Sequence, residues 1–234
     1  SLPLLLRRTE LRKEQNVFVL TMKAGENRFH PEFMDELNQL FDLIESSTNA
    51  AALVITGQAK FFSNGLDIDF LMTNHESASA YLSNYQKILS RLISLNLPTV
   101  AAINGHAFAG GCMFALACDF RLMREDRGFM CLPEVDLGFD LSPGMTALIK
   151  EKITNPQGIR DMILLGIRAD SKQCVQMGIV DKALPLDSLV PEAIKFAESI
   201  AGKSVKREAF GILKSSTYSH VLEALATAPI RSKL

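Results

Sequence analysis

The chain has 234 residues, with 25 basic and 26 acidic side chains, and its formal net charge at pH 7 is −1. Hydrophobic residues make up 47% of the chain and charged residues 22%, which is typical of a folded globular protein rather than a disordered or fibrous one. The length fits one domain or one domain with a small appendage, and the near-zero charge argues against a nucleic acid or an anionic membrane surface as a partner.

The first half of the chain alternates predicted strands and helices. Residues 16–22 and 52–56 are apolar and rich in β-branched side chains, which predicts two strands. Between them, the spacing of apolar residues over 32–46 predicts an amphipathic helix. The same spacing returns over 81–95 and is followed by a third apolar strand at 99–103.

The second half becomes progressively more helical. A small-residue loop leads into a predicted buried helix at 110–118, and two short strands are expected at 120–123 and 128–131. From residue 142 onward the pattern is mainly helical, with closing helices expected around 189–201 and 205–215. Strands that alternate with helices indicate an α/β architecture.

The four cysteines lie in apolar segments and form no CxxC pair, so we expect small buried side chains in a reducing compartment rather than zinc ligands. They are Cys112, Cys118, Cys131 and Cys174. The longest apolar run, 107–118, is far shorter than the roughly 20 residues that a bilayer span requires, so no membrane span is predicted.

The chain ends in Ser232-Lys233-Leu234, a tripeptide that an import receptor reads as a peroxisomal address. Residues 226–231 are expected to form a short, loosely structured lead-in that exposes it. The sequence therefore predicts a peroxisomal location and the import receptor as a partner.

Two loops could supply backbone hydrogen-bond donors to an anion. Gly110 and Gly111 follow a strand and open a helix, where N–H groups lack acceptors and the helix dipole is positive. The turn that contains Ser63 and Asn64 could expose the N–H of Leu66, so that one donor from each loop forms an oxyanion hole. Close packing of glycine and a plain connecting loop are the alternatives.

Glu134 is a lone carboxylate in the apolar segment 132–139. A carboxyl group in such surroundings tends to have a raised pKa, which suits an acid/base catalyst. The alternative is a strand-end glutamate that is solvated or paired with Arg121. In an alternating strand Asp136 would share the face of Glu134.

Four segments in order resemble the enoyl-CoA hydratase/isomerase family, also called the crotonase superfamily. They are FFSNGLDI (61–68), AAINGHAFAGGCMFALACDFRL (101–122), LPEVDLGF (132–139) and LLGIRADSKQCVQMGIVDKALP (164–185). The resemblance implies an α/β spiral of strand–strand–helix units over residues 1–186 and a C-terminal helical region, 187–234, that carries the targeting tail. It also implies a homotrimer or a dimer of trimers.

The resemblance further implies an acyl-CoA substrate and an enolate held by two backbone N–H groups, here those of Leu66 and Gly110. The resemblance also implies which residues contact the substrate. They lie in or near the two donor loops and at the start of the helix that follows the second loop. These are Arg28, Ser63, Asn64, Gly65, Asp67 and Met113. Hydratases of the family use two glutamates, and Met113 occupies the first of these positions.

One remaining carboxylate, Glu134, favours a Δ3,Δ2-enoyl-CoA isomerase of fatty-acid β-oxidation, similar to the plant-type peroxisomal isomerases. Alternatives are an enoyl-CoA hydratase, an acyl-CoA hydrolase or an inactive acyl-CoA-binding member, and Asp136 or Asp140 could provide a second carboxylate. No metal or redox cofactor is expected, since coenzyme A is part of the substrate.

The remaining basic residues receive minor assignments. Besides Arg28, three lysines are candidates for the CoA phosphates, namely Lys60, Lys206 and Lys214. His106 is expected to be a hydrogen-bonded structural residue. His30, His75 and His220 belong to no motif.

Overall fold

The computed structural model describes residues 3–229 of the chain. Its strands are β1 (Leu4–Leu5), β2 (Thr9–Glu14), β3 (Val17–Met22), β4 (Ala52–Thr56), β5 (Phe61–Ser63), β6 (Thr99–Ile103), β7 (His106–Phe108), β8 (Phe120–Arg124), β9 (Met130–Cys131) and β10 (Lys182–Leu184).

Helices occupy most of the remaining chain. They are α1 (Pro31–Ser46), α2 (Ile68–Thr73), α3 (Ala78–Ser94), α4 (Gly110–Ala117), α5 (Glu134–Leu137), α6 (Pro143–Lys152), α7 (Pro156–Ile159), α8 (Ser171–Gln176), α9 (Leu186–Ala201), α10 (Arg207–Thr217) and α11 (Ser219–Ala226). Short 3₁₀ segments lie at His75–Ser77 and Gly202–Ser204, and a π-helical turn lies at Arg160–Leu164.

The strands form two sheets. The larger has seven strands in the order β1-β2-β3-β4-β6-β8-β10, antiparallel from β1 to β3 and parallel from β3 onward. The smaller has three parallel strands in the order β5-β7-β9. Three successive strand pairs, β4-β5, β6-β7 and β8-β9, each place their first strand in the large sheet and their second in the small one.

A helix follows each of these pairs, so the chain winds through three strand–strand–helix units and ends in helices. This confirms the predicted α/β spiral with a helical C-terminal region. The repeated path brings corresponding loops of successive units side by side, because each connects the small sheet to a helix at the same edge. The two proposed donor loops belong to the first and second units.

Both faces of the large sheet are buried along its central strands β3, β4 and β6, which explains why these strands are apolar without alternation. On β3, Phe18 and Leu20 face the main core, whereas Val17 and Val19 face a second cluster. That second cluster is covered by α9, through residues that include Leu189, Ala193, Ala197 and Ala201. The first helix of the C-terminal region therefore packs directly on the sheet.

Helix α1 illustrates how local sequence and packing agree. The His30 imidazole accepts a hydrogen bond from the Glu32 N–H at its start, and Pro31 occupies the first helical position, where no N–H is needed. Its apolar stripe, which includes Phe33 and Leu37, lies in the main core as the spacing predicts.

Several boundaries differ from the predictions. Strand β2 is charged and partly exposed, so it gave no apolar signal, and its place comes from antiparallel pairing with β3. The strand expected at 128–131 is shorter, because Gly128 has a φ of 103°. Helix α9 begins three residues earlier than expected, and α10 has the expected length but lies two residues later. A third helix, α11, follows and ends at Ala226, the first residue of the predicted lead-in.

Two further predictions can be compared directly. The four cysteines are all free and buried, as expected. Within residues 3–229 no helix combines the length and the apolar character needed to cross a membrane. The C-terminal tripeptide 232–234 lies outside the described residues.

Candidate active site

The second donor loop ends in a strained backbone. Strand β7 ends at Phe108, and Ala109 then adopts a φ of 50° and a ψ of −120° before α4 begins at Gly110. A non-glycine residue at positive φ costs of order 1–3 kcal/mol and persists where the surrounding structure enforces it. Gly110 is the first residue of α4, so its N–H has no acceptor within the helix.

The first donor loop lies directly against the second. A Cβ atom on Gly65, whose φ is 82°, would lie 2.9 Å from the Phe108 carbonyl oxygen and 3.0 Å from the Gly110 nitrogen. A Cβ on Gly111 would lie 2.0 Å from the Ser63 carbonyl oxygen. The two loops can therefore approach only because glycine occupies both positions, and this brings Leu66 beside Gly110.

Hydrogen bonds to the neighbouring segment before α1 hold the first loop in place. The Ser63 hydroxyl donates to the Asn27 carbonyl at 2.8 Å, and the Gly65 carbonyl accepts from the Phe29 N–H at 2.9 Å. Asp67 caps α2 by accepting from the Phe70 N–H. Ser63, Gly65 and Asp67 thus shape the loop, and direct substrate contact by them stays a prediction.

The carbonyls of the two donor residues are also restrained. Arg28 donates from Nη1 to the Leu66 carbonyl at 3.3 Å, and the buried Tyr85 hydroxyl donates to the Gly110 carbonyl at 2.6 Å. Within the described chain, neither the Leu66 N–H nor the Gly110 N–H donates to a backbone carbonyl. Both donors are therefore held in place and available to a ligand.

Tyr85 was not identified from the sequence. It lies on the buried face of α3, where a tyrosine looks like an ordinary core residue. Burial raises its pKa well above the usual value, so the hydroxyl keeps its proton and acts as a donor. The nearby carboxylate of Glu134 contributes to this shift, which places both groups at the same site.

A cavity of about 880 Å³ opens beside the two loops. Six predicted site residues line it: Arg28, Asn64, Leu66, Gly110, Met113 and Glu134. Much of the remaining wall is apolar and includes Leu71, Leu82, Phe108, Leu141 and Met145. Polar side chains also line it, among them Glu26 from the loop before α1 and Asp69 from α2. A ligand with a charged part and an apolar part fits this division.

Glu134 is the first residue of α5, is partly buried and lines this cavity. Burial raises its pKa from 4.5 to about 7. Its Oε2 atom is buried and has no hydrogen-bond partner among the described residues. Arg121 is engaged elsewhere, since its guanidinium donates to the Ile179 and Cys118 carbonyls at 2.7 Å each. The alternative of a glutamate paired with Arg121 is therefore wrong, and one carboxylate oxygen of Glu134 is withdrawn from solvent.

The expectation that Glu134 and Asp136 lie on one face of a strand is also wrong. Residues 134–137 are helical, so Asp136 is turned about 200° around the axis from Glu134. Asp136 is exposed, and its Oδ2 would lie 3.1 Å from a Cβ on Gly166. Asp140 is also exposed but lines the cavity, which makes it the second carboxylate near Glu134.

The structure places the predicted phosphate-binding side chains in different environments. Arg28 lines the cavity and forms an ion pair with Glu26 at 2.6 Å. The expectation for Lys214 is wrong, because its buried ammonium pairs with Asp119 at 2.9 Å inside the fold. Lys60 lies over the Phe61 ring, and exposed Lys206 precedes α10.

His106 is structural, but not in the way expected. Its ring packs near those of Phe61, Phe108 and Phe129, with centroids 4.9–5.6 Å apart. Its buried Nδ1 has no hydrogen-bond partner in residues 3–229, so the predicted hydrogen bond is missing there.

The other histidines lie at three different places. His30 caps α1, and His220 is 3.0 Å from Glu151. His75 lies at the cavity, a position that no motif indicated.

Comparison with known proteins agrees with this architecture. The chain matches the family model described as enoyl-CoA hydratase/isomerase over residues 12–229, and it belongs to that family. It is similar to enoyl-CoA delta isomerase 3 of Arabidopsis thaliana, 33% identical over 216 residues that cover 89% of this chain and 91% of the relative. Peroxisomal enoyl-CoA delta isomerase 1 of the same plant is 34% identical, covering 91% and 90%.

Other relatives carry a different activity in their names. Mitochondrial enoyl-CoA hydratase of Pongo abelii is 35% identical over 171 residues, which cover 73% of this chain and 58% of the relative. Among solved structures, an enoyl-CoA isomerase of Mycobacterium tuberculosis superposes with a TM-score of 0.84 at 23% identity, covering 93% of this chain and 94% of the other. The latter likeness establishes the fold alone.

Proposed function

We propose that this protein is a Δ3,Δ2-enoyl-CoA isomerase, which moves the double bond of a 3-enoyl-CoA to give the trans-2-enoyl-CoA. One observation carries the proposal: Glu134, a carboxylate with a buried and unpartnered oxygen, shares a largely apolar cavity with the Leu66 and Gly110 donor loops, and Met113 occupies the position of the first hydratase glutamate. Isomerisation needs one base that shuttles a proton, whereas hydration also needs a group that activates water.

The reaction starts with ionised Glu134 removing a proton from C2 of the substrate. The electron pair moves to the thioester oxygen, giving a dienolate whose oxygen accepts hydrogen bonds from the Leu66 and Gly110 N–H groups. Glu134 then returns the proton to C4, and the double bond forms between C2 and C3. No metal or redox step is required.

The pKa of Glu134 suits both halves of this shuttle. At about 7, it leaves a large fraction ionised at neutral pH while keeping the protonated form acidic enough to donate. Met113 is 2% exposed and carries no titratable group, so a water molecule at that position would lack a base. The cavity thus favours proton transfer between carbons.

Arg28 is the proposed contact for the CoA phosphates, since it is the predicted basic residue that lines the cavity. The proposed setting is peroxisomal β-oxidation of unsaturated fatty acids. It is supported by the Ser232-Lys233-Leu234 terminus and by two similar proteins of Arabidopsis thaliana, the peroxisomal enoyl-CoA delta isomerases 1 and 2.

A homotrimer or a dimer of trimers is proposed as the working assembly. Four large apolar side chains next to the catalytic helix α5 are at least 49% exposed: Val135, Leu137, Leu164 and Leu165. A cluster of this kind is typical of a surface that is covered in an assembly.

The test is a paired assay with 3-hexenoyl-CoA and crotonyl-CoA on the purified protein. We expect isomerisation to exceed hydration, and Glu134→Gln to lower isomerisation by about 10²–10⁴-fold. Asp140→Asn is the matched control, because Asp140 is a second carboxylate on the same cavity. Activity of Glu134→Gln within a few-fold of wild type would show that Glu134 is not the base.

A loss of activity in Asp140→Asn equal to that in Glu134→Gln would instead point to a two-carboxylate mechanism. Rapid hydration of crotonyl-CoA by the wild-type protein would favour the hydratase alternative.

A further inference from the structure

The described chain ends against the cavity. After α11, residues 226–228 are exposed, but Pro229 is buried and lines the cavity that holds Glu134. We call residues 226–229 the C-terminal strap. Burial of a proline after three exposed residues shows that the chain turns back onto the protein there.

Gln86 ties the strap to α3. Its side chain is 1% exposed, and its Nε2 donates to the Leu225 carbonyl at 2.8 Å and to the Thr227 carbonyl at 3.0 Å. A buried amide that serves two carbonyls of one segment fixes the path of that segment. The same helix contributes Leu82 and Tyr85 to the cavity wall.

Helix α11, which leads into the strap, rests on α6. A Cβ on Gly144 would lie 2.6 Å from the Leu225 Cα and 2.9 Å from the Ala224 carbonyl oxygen, so the end of α11 packs directly on the backbone of α6. The next residue, Met145, lines the cavity. The strap is therefore positioned by α3 through Gln86 and by α6 through the end of α11, and both helices contribute apolar side chains to the cavity.

We infer that Pro229 is a specificity-determining residue, and that the strap forms the end wall of the part of the cavity that takes the acyl chain. This rests on the proposed function. The helices beneath the strap, α3 and α6, contribute only uncharged side chains to the cavity. Its charged lining residues come from other segments, namely Glu26, Arg28, Asp69, Glu134 and Asp140. The apolar tail of the substrate consequently points toward Pro229.

The length of acyl chain that fits then depends on the size of residue 229. A larger side chain shortens the available space, and a smaller one extends it. In apolar pockets, one methylene group more or less changes discrimination by about 10–200-fold.

The experiment uses the whole 234-residue chain without a C-terminal tag and compares Pro229→Phe and Pro229→Ala with wild type. The kcat/KM is measured for 3-hexenoyl-CoA and 3-tetradecenoyl-CoA. We expect Pro229→Phe to lower the ratio of long-chain to short-chain kcat/KM by at least about 10-fold, and Pro229→Ala to raise it. Ala228→Phe is the matched control, since it adds the same ring at an exposed position of the strap.

Gln86→Met removes the two anchoring hydrogen bonds but keeps an unbranched side chain. It is expected to weaken chain-length discrimination, because the strap is no longer held in place. The inference is overturned if both Pro229 variants leave the long-to-short ratio unchanged, or if Ala228→Phe shifts it as much as Pro229→Phe does.

Binding of the unreactive saturated thioesters hexanoyl-CoA and myristoyl-CoA, measured by calorimetry, separates this inference from the proposed function. If isomerisation is absent but the Pro229 variants change the chain-length preference in binding, the isomerase activity is refuted and the role of the strap in chain-length selection is supported. If isomerisation is normal and the preference is unchanged, only the role of the strap is refuted.

Discussion

Glu134→Gln should make the protein less active but more stable above pH 7. Folding moves the carboxyl group into a cavity that raises its pKa from 4.5 to about 7. Above pH 7 the folded protein must carry the buried charge that burial disfavours, and glutamine removes that charge. The position proposed for the catalytic base thus opposes stability.

The size of the effect follows from the two pKa values. Below pH 4.5 the carboxyl group is protonated in both the folded and the unfolded chain, and above about pH 7 it is ionised in both. Between these values the folded chain holds the extra proton, so stability falls as pH rises. At 1.36 kcal/mol per pKa unit, the gap corresponds to at most about 3 kcal/mol.

The assay is urea denaturation followed by circular dichroism at pH 5 and pH 8, with wild type and Glu134→Gln at one protein concentration. The difference in unfolding free energy between variant and wild type should grow by about 2–3 kcal/mol from the lower to the higher pH. Asp140→Asn, at an exposed carboxylate, should show no comparable growth. A constant or shrinking difference for Glu134→Gln would refute the buried-charge argument.

Three further outcomes can be measured. The kcat/KM for 3-hexenoyl-CoA should rise with pH through about 7, as Glu134 loses its proton; a flat profile from pH 5 to 8 would contradict this. Met113→Glu should raise crotonyl-CoA hydration at least about 10-fold, followed as loss of enoyl absorbance, because it restores a second carboxylate. Gly111→Ala should cost about 3 kcal/mol of unfolding free energy, since its Cβ would overlap the Ser63 carbonyl, whereas Gly202→Ala, which meets nothing within 4 Å, should not.

The sequence was most informative where several residues had to act together. The turn before Leu66 and the glycine start of α4 indicated two backbone donors, the family resemblance implied that these are Leu66 and Gly110, and the structure brings the two loops into contact. The α/β architecture was predictable because apolar runs alternate with helical patterns, whereas the spiral path was implied by the family resemblance. Strand β2 was not predictable from the sequence, because its charged residues form a strand only through antiparallel pairing with β3.

Features that depend on distant parts of the chain could not be predicted from the sequence. The helical turn at Glu134 follows a two-residue strand, too short for a periodic pattern. In the sequence Tyr85 is typical of a core residue, and only the structure shows that its hydroxyl donates to the Gly110 carbonyl. Likewise, Lys214 is typical of a surface lysine, and only the structure shows its ion pair with Asp119. Such roles are set by tertiary contacts between segments about 25 and 95 residues apart in the chain.

The burial of Pro229 bears on how the protein should be handled in the laboratory. An affinity tag or fluorescent protein fused to the C-terminus would start five residues beyond a side chain that lines the cavity. Such a fusion also masks the terminal carboxylate of Ser232-Lys233-Leu234. Purification through an N-terminal tag avoids both effects, so that substrate profiles and import can be compared on the same preparation.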